Sequence, residues 1–600
     1  MSVAQRTSEP RRAVRASGAR WKAALRVAER WAAPLAAAVL IAIMSWPFLL
    51  LPDSFGGDWR THSWYVAHQM RSLLDDHVPT LFLNVDNASF YPHYAFYGGT
   101  LYALAGLLSI ALGGVARNGY VASWIVASSA GYVGWAWLGR MADLGRWTAQ
   151  IPAVVFLTSP YLVTMAYVRG DWPEYVAVSS MPLLAAAAMS VLRSDRLRPL
   201  PMVALAGSAV AFSGSHNITL LWGSAFFLVL AAALCACVPA ARRQVSRRGV
   251  LRLLGVLVPA VLVNAWFLLP DVAYQAQTQI AQTYDVARGY VRESGALVAR
   301  EYLFGLSRRP AQPGSDFVVT LPVLAIAWAL AAGALAGRRP WGRTWLRVFG
   351  VLAAVAAAFM VVMTHVGLLL ALPKPFVMIQ FGYRLESYIL LAICGGVLAG
   401  LVLLRHATGR RRRWPWALVP VLVWSVVGGV GQVGRYGTVA AIDTYRQPII
   451  GSLGDFADAS TPEIAPGQRA RVTFPLDQVH HDRVTITATA SPGQLLDTDL
   501  IVMPALIHVE GARIVGSVTA PTNTTGLQRR AVLQVDRDAT PGAARITVRA
   551  AHPPAVAIGR LLSVLGLVGL LAGFVVAVTG AWRTRRGGRV RRRPGDERAG

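Results

Sequence analysis

The stretch SPYLVTMAYVRGDWPEYVAV, residues 159–178, sets Arg169, Asp171 and Glu174 between two apolar segments, near 150–168 and 175–192. Each flanking run approaches the length needed to cross a bilayer core of about 30 Å. Three charges at such a junction mark a helix–loop–helix turn at a membrane boundary rather than the interior of a soluble core.

Working outward, the same alternation repeats. Apolar runs lie near residues 32–51, 97–115, 120–138, 200–214, 217–238, 251–270, 317–336, 347–371, 386–404, 415–433 and 557–581. With 54% hydrophobic and 15% charged residues over 600, the chain cannot be one soluble globule. The net charge of +28 sits in short loops and both tails, which is orientation information and not a nucleic-acid footprint. Arginine-rich connectors at 193–198, 241–252, 337–343 and 405–413 mark a cytoplasmic side. The basic segment 1–31 precedes an apolar run with no clear small-residue cleavage site, so we read a retained first helix with a cytoplasmic N-terminus. Cys235, Cys237 and Cys394 all fall inside apolar runs and read as small hydrophobes, not as a disulfide or zinc framework.

Parity constrains the count. If the loop at 193–198 is cytoplasmic, 169–174 is outside and Arg140–Arg146 inside, which forbids two full crossings between residues 97 and 138. The segment 97–115, carrying Gly98, Gly99 and Gly106, is therefore expected to enter from outside without crossing. The expectation is an α-helical polytopic membrane protein of about 12–13 segments, its helical domain spanning 32–433 with a large first outer loop at 52–96. A last helix at 556–582 leads to a basic cytoplasmic tail, 583–600.

Between 434 and 555 the period changes from helical to two. RVTITATA (483–490), ARIVGSVTA (512–520), AVLQVD (531–536) and ARITVRA (544–550), separated by Pro, Gly, Asp and Asn, predict antiparallel strands of a small extracytoplasmic β-sandwich.

Candidate functional residues gather at the outer junctions. In FGGDWRTHSWY (55–65), Asp58 and His62 stand at i, i+4 spacing and share one face of a local helix, with Trp59, Trp64 and Tyr65 as headgroup anchors. The alternative is an aspartate that only caps an interfacial helix beside a wet histidine. The loop 79–104, rich in aromatics, Asn and Pro, reads as a lid, and Asp86 and its asparagines suit either sugar hydroxyls or turn capping. Arg169, Asp171 and Glu174 form a second group, for which the alternative is a mere loop ion pair between Arg169 and Glu174; His216 and Asn217 (in SGSHNIT, 213–219) and Lys374, Arg384 and Glu386 (in KPFVMIQFGYRLESY, 374–388) form two more, though a boundary Arg or Lys can also simply snorkel. Several such junctions on one face predict a shared polar site. His480, His481 and Asp482 lie in strand-like sequence, where neighbours face opposite ways, so no metal ligand set is assigned and any cofactor stays unknown.

The ordered set GGDWRTHSW, YPHYAFYGGTLYALAGLL, SPYLVTMAYVRGDWPEYVAVSSMPL, SGSHNIT and QFGYRLESY resembles polytopic bacterial proteins of the GT-C superfamily type, including those grouped with YfhO-like proteins and with membrane proteins labelled as related to 6-pyruvoyl-tetrahydropterin synthase. It covers roughly residues 30–400. The resemblance implies a glycosyltransferase that takes sugar from a polyprenyl-phosphate donor to an envelope glycan, lipid or protein on the extracytoplasmic face of the plasma membrane. It puts Asp58 as base, alone or with His62, Glu174 as a second acid, and Arg384 or Arg169 on the donor phosphate. Where members of the type carry paired acids in the first loop, Trp59 follows Asp58 here. A transporter or flippase of lipid-linked precursors and a non-catalytic scaffold are the competing readings; the former also needs a polar cavity among helices.

Overall fold

The computed structural model describes residues 31–50, 58–85, 89–278, 340–408 save 378, 380 and 381, 419–438, 461–464, 469–472, and 483–590 save 499, 502, 522–526, 541 and 543. The run expected at 317–336, the lid residues 86–88 and the triplet His480–Asp482 lie outside the described residues.

Every other expected apolar run is helical. In chain order the helices are α1 (Trp31–Leu50), α2 (Trp59–Asp75), the short α3 (His93–Phe96), α4 (Gly99–Ala111), α5 (Ala116–Met141), α6 (Ile151–Leu157), α7 (Pro160–Thr164), α8 (Trp172–Arg193), α9 (Pro199–Ser215), α10 (Asn217–Cys237), α11 (Pro239–Gln244), α12 (Arg247–Leu262), α13 (Ala265–Tyr274), α14 (Pro340–Thr364), α15 (Val366–Leu370), α16 (Lys374–Val377), α17 (Glu386–Thr408), α18 (Val419–Thr438) and α19 (Pro554–Val590). Among the described residues, six helices are long and apolar enough to cross a membrane, or up to nine if each bent pair is one span. This is a multi-pass protein in which two of the expected runs, 150–168 and 251–270, break within themselves, and a third sharp bend joins the runs 97–115 and 120–138. Ser159 and Pro160 bend α6 against α7 by 43°, and Asn264 separates α12 from α13 at 71°. Asn264 is buried and donates to the Val210 carbonyl and the Ser213 hydroxyl, which ties the break to α9.

The third break bears on the parity argument. Helix α4 has only 13 residues and turns by 116° into α5. Its first turn lies against Ser215, the last residue of α9, while Arg117, just past its other end, donates to the Leu49 carbonyl at the end of α1. Gly98 before α4 and Arg117 after it thus both lie near the ends of α9 and α1 that face the charged junctions, and the bend is that of either a broken span or a re-entrant segment. We call the end of the bundle with those junctions the site end. The opposite, arginine end carries Arg140, Arg193, Arg196, Arg242, Arg247 and Arg405.

Aromatic packing locks the site end. Phe48 of α1 stacks on Trp59 of α2 with ring centroids 4.8 Å apart, and Trp59, Tyr120, Trp124 and Trp172 continue the contact into α5 and α8. Trp59 and Tyr65 are buried in protein, which corrects their expected role as headgroup anchors. Fully burying such rings stabilises by about 2 kcal/mol or more each.

The period-two segments form two sheets. One is ordered β3 (Ala470–Val472), β5 (Leu495–Thr498), β8 (Leu527–Val535), β7 (Ala512–Pro521); the other β4 (Arg483–Ala488), β9 (Ala544–Ala550), β6 (Ile507–Glu510). The hairpin β1 (Leu83–Val85) and β2 (Ser89–Tyr91) stands apart. In the register Val484↔Val548 and Ile486↔Ile546, alternate residues point inward and are buried. The sandwich core is continuous with Leu81, Phe82, Phe96, Trp266 and Phe267, so the lid loop and α13 form the floor on which the sheets rest. Most of the apolar residues of α19 remain exposed, the pattern of a lipid-facing helix.

Candidate active site

Sequence order brings the charged trio together through helix capping. Asp171 precedes α8, and its Oδ1 accepts the Glu174 amide at 3.3 Å, with Pro173 in the first turn. Before it, the chain widens into one π turn over Met165–Arg169, a device frequent at functional sites. Gly170 then takes φ +66°, and a Cβ there would lie 2.6 Å from the Trp59 amide nitrogen. Only glycine lets the two strands of chain approach so closely. The Asp58 amide consequently donates to the Arg169 carbonyl at 2.8 Å.

Arg384, more than 200 positions away, closes the arrangement from the turn before α17. Arg169 contacts Asp171 at 2.5 Å and Glu174 at 3.1 Å, and Arg384 contacts the same two carboxylates at 3.3 and 3.2 Å. Asp171, Glu174 and Arg384 are buried. Glu174 accepts from the Tyr161 hydroxyl at 2.7 Å and from the Ser387 hydroxyl at 3.3 Å, and the Tyr383 ring lies 5.0 Å beneath the Arg169 guanidinium. Burying two cations beside two anions is tolerable because each charge finds partners within hydrogen-bond reach. The Arg169 Nη1 is buried and, among the described residues, has no hydrogen-bond partner, leaving one cationic donor unspent.

Asp58 differs from its neighbours. Its side chain makes no capping hydrogen bond to α2 and keeps a solvent-exposed face, which goes against the helix-cap alternative. Surrounding protein still strips enough water to push its carboxyl up to about 6; Asp171 adds to the rise, while Arg169 and Arg384 oppose it. Asp171 is held well below the usual carboxylate range, since Arg169 and Arg384 overrule the burial that would raise it. Two acids near one another are thus driven apart, one kept ionised and one poised near neutrality, the arrangement that suits a base.

The i, i+4 spacing of Asp58 and His62 is realised, the His62 amide donating to the Asp58 carbonyl at 2.9 Å. The imidazole turns elsewhere. Its Nδ1 meets the Tyr102 hydroxyl at 2.6 Å, and it sits among Tyr97, Tyr102 and Trp172. Burial lowers its pKa to about 4 despite Asp171, so it is neutral at neutral pH and gives Asp58 no positive partner. His216 lies edge-on to Tyr97 at 5.6 Å and caps α10 through Thr219, its pKa lowered to about 3 by burial and by Arg384. Gly98, at φ +58° with Ser215 packed against it, allows that approach.

The remaining expected residues divide. Asn217 lies at the same junction but donates to the Phe96 carbonyl and to Asp271 at 2.7 Å. Asp271, Tyr161 and Ser387 were not singled out from sequence; a lone aspartate in the apolar run AWFLLPDVAY is the signal for the first. Glu386 is buried without joining the four ion pairs, and Lys374 is exposed at the head of α16 and belongs to none of them either. Among the described residues no group of three or more His, Cys, Asp or Glu side chains is placed to hold a metal ion.

No family model matches the chain, and no curated protein does. Among solved structures it is similar to the arabinofuranosyltransferase AftD from Mycobacteria (17% identity, TM-score 0.41, covering 68% of this chain and 27% of that one). It is also similar to the archaeal oligosaccharyltransferase AglB from Archaeoglobus fulgidus, in complex with an inhibitory peptide and a dolichol-phosphate (13% identity, TM-score 0.41, covering 74% and 62%). A third is ArnT from Cupriavidus metallidurans bound to undecaprenyl phosphate (12% identity, TM-score 0.29, covering 83% and 97%). The chain therefore spans about a quarter of the first neighbour and under two thirds of the second. At these identities and TM-scores the likeness places no residue of this chain; two of the three structures are named as glycosyl-transferring enzymes.

Proposed function

We propose that Asp58, Arg169, Asp171, Glu174 and Arg384 form the catalytic centre of a membrane glycosyltransferase that uses a polyprenyl-phosphate-linked sugar. Asp58 takes the proton from an acceptor hydroxyl as its oxygen bonds to the anomeric carbon. The bond from that carbon to the donor phosphate breaks, and the electron pair leaves with the lipid phosphate. Arg169, through its unspent Nη1, and Arg384 receive the developing charge. Asp171 and Glu174 hold the two guanidiniums in place and keep them dry. His62, His216 and Asn217 line the same junctions and contribute to substrate binding, while the β-sandwich above the lid floor helps to hold an envelope glycan, lipid or protein acceptor. The site end is then the extracytoplasmic face of the plasma membrane, and the arginine end, with both termini, the cytoplasmic one. Inversion at the anomeric carbon follows from the resemblance alone.

One observation carries the reading: the contact of the Asp58 amide with the Arg169 carbonyl at 2.8 Å sets a carboxyl of raised pKa beside a paired-arginine cluster. The test is membranes holding wild type or Asp58→Asn at equal protein level, supplied with labelled polyprenyl-phosphate sugars. Loss of transfer by about a hundredfold or more is expected of a missing base. Equal transfer by both removes Asp58 from the chemistry, and no transfer by either for any donor of this class removes the proposed activity.

A further inference from the structure

A second feature lies at the other end of the bundle and is independent of the proposed activity. Between α5, α8, α10, α14 and α17 the helices enclose a cavity of about 1380 Å³. Its walls include Met181, Phe226, Leu230, Leu352, Leu391 and Leu398. Its mouth is bordered by Arg140, Arg193, Arg405 and His406, with Asp143 as the acidic member of that rim. Met181 and Arg193 stand twelve residues apart on α8, which puts the cavity floor about 18 Å along the helix axis from the rim.

The cavity is open at its mouth, so what fills it comes from the surroundings of the helices. Water does not suit an apolar lining that offers few hydrogen-bond partners. The rim supplies the other half of the specification. Arg140 uses one Nη to hold the Leu144 carbonyl, and Arg193 spends its Nε on Gln244 at 2.9 Å. Each guanidinium has further N–H groups beyond those contacts. Arg405 is exposed and, among the described residues, engages in no ion pair or hydrogen bond. Three guanidiniums over a deep apolar slot match a phosphate-bearing headgroup joined to an acyl chain, and basic pockets between membrane helices bind anionic headgroups by this chemistry.

We propose that this cavity is a binding site for one anionic phospholipid, its acyl chain lying along Met181, Phe226, Leu352 and Leu391 and its phosphate held by Arg140, Arg193 and Arg405. The lipid completes the packing of five helices at the end remote from the charged cluster. A neutral or zwitterionic lipid fills the slot equally well but leaves the guanidiniums unmatched. Selectivity for negative charge is therefore the property that separates a site from a mere gap.

The test uses the full chain, delipidated in detergent and titrated with phosphatidylglycerol or with phosphatidylcholine of identical chains, bound lipid being counted by native mass spectrometry. One phosphatidylglycerol is expected to bind at least about tenfold more tightly than phosphatidylcholine. In the combined variant R140Q/R193Q/R405Q, whose substitutions are all at exposed positions, that preference disappears. Leu230→Trp, which fills the slot, abolishes retention of both lipids, and its melting temperature shows whether it has folded. Equal binding of the two lipids by the wild type overturns the proposal, as does undiminished preference in the arginine variant. Competition by inorganic phosphate that displaces phosphatidylglycerol stoichiometrically also overturns it, because it would mean the slot contributes nothing.

Discussion

The two ends of this bundle use arginine in opposite ways. At the site end, Arg169 and Arg384 are drawn in among carboxylates, with contacts of 2.5 to 3.3 Å to Asp171 and Glu174. At the arginine end, Arg140, Arg193 and Arg405 stay exposed around an apolar cavity with Asp143 beside them. The guanidinium is the same; its counter-ions decide. Where acids are supplied by helix starts, as with Asp171 and Glu174 on α8, the cation is buried and fixed. Where helices end in several arginines with only Asp143 among them, the cations stay at the surface and are available to an anion from outside the chain.

Substitutions sharpen that contrast. Glu174→Ala leaves two guanidiniums short of a buried partner and should cost about 3–5 kcal/mol, read as a large fall in melting temperature. Arg140→Gln at the other end should change stability by less than about 0.5 kcal/mol. If both changes cost the same, the distinction between the two ends is wrong. Gly170→Ala sits between these extremes. A Cβ forced against the Trp59 amide at φ +66° should cost about 1–3 kcal/mol and, by pushing Asp58 away, lower transfer more than it lowers stability. The smallest effect is electrostatic. Because Asp171 raises the Asp58 pKa, Asp171→Asn should move the acidic limb of any residual activity to lower pH, and a shift to higher pH would reverse the assigned sign.

Much of the architecture was legible because period and hydropathy are local. The strands expected at 483–490, 512–520, 531–536 and 544–550 appear as β4, β7, β8 and β9, and the segment 97–115 contains a helix of only 13 residues, α4. The breaks were harder. Hydropathy averages over Ser159–Pro160 and Asn264, so bent pairs look like straight spans until backbone geometry is known. The site was legible in part. Arg169, Asp171, Glu174 and Arg384 stand out as charges at apolar junctions, but nothing local says that they meet, since Arg384 reaches Asp171 across more than two hundred residues. Trp59 and Tyr65 misled because an aromatic at a helix start looks the same whether it faces headgroups or the protein interior. His62 likewise looked like a partner for Asp58, and only its bond to Tyr102 shows that its ring faces elsewhere.

The central claim is that Asp58 is a carboxyl made weakly acidic by burial and by Asp171, beside arginines already fixed in place. A carboxyl accepts a proton only when ionised, so transfer of labelled sugar should rise with pH through a single limb near 6 in the wild type and lose that limb in Asp58→Asn. A wild-type rate that stays flat from about pH 5 to about pH 8, with chemistry limiting, would contradict the account.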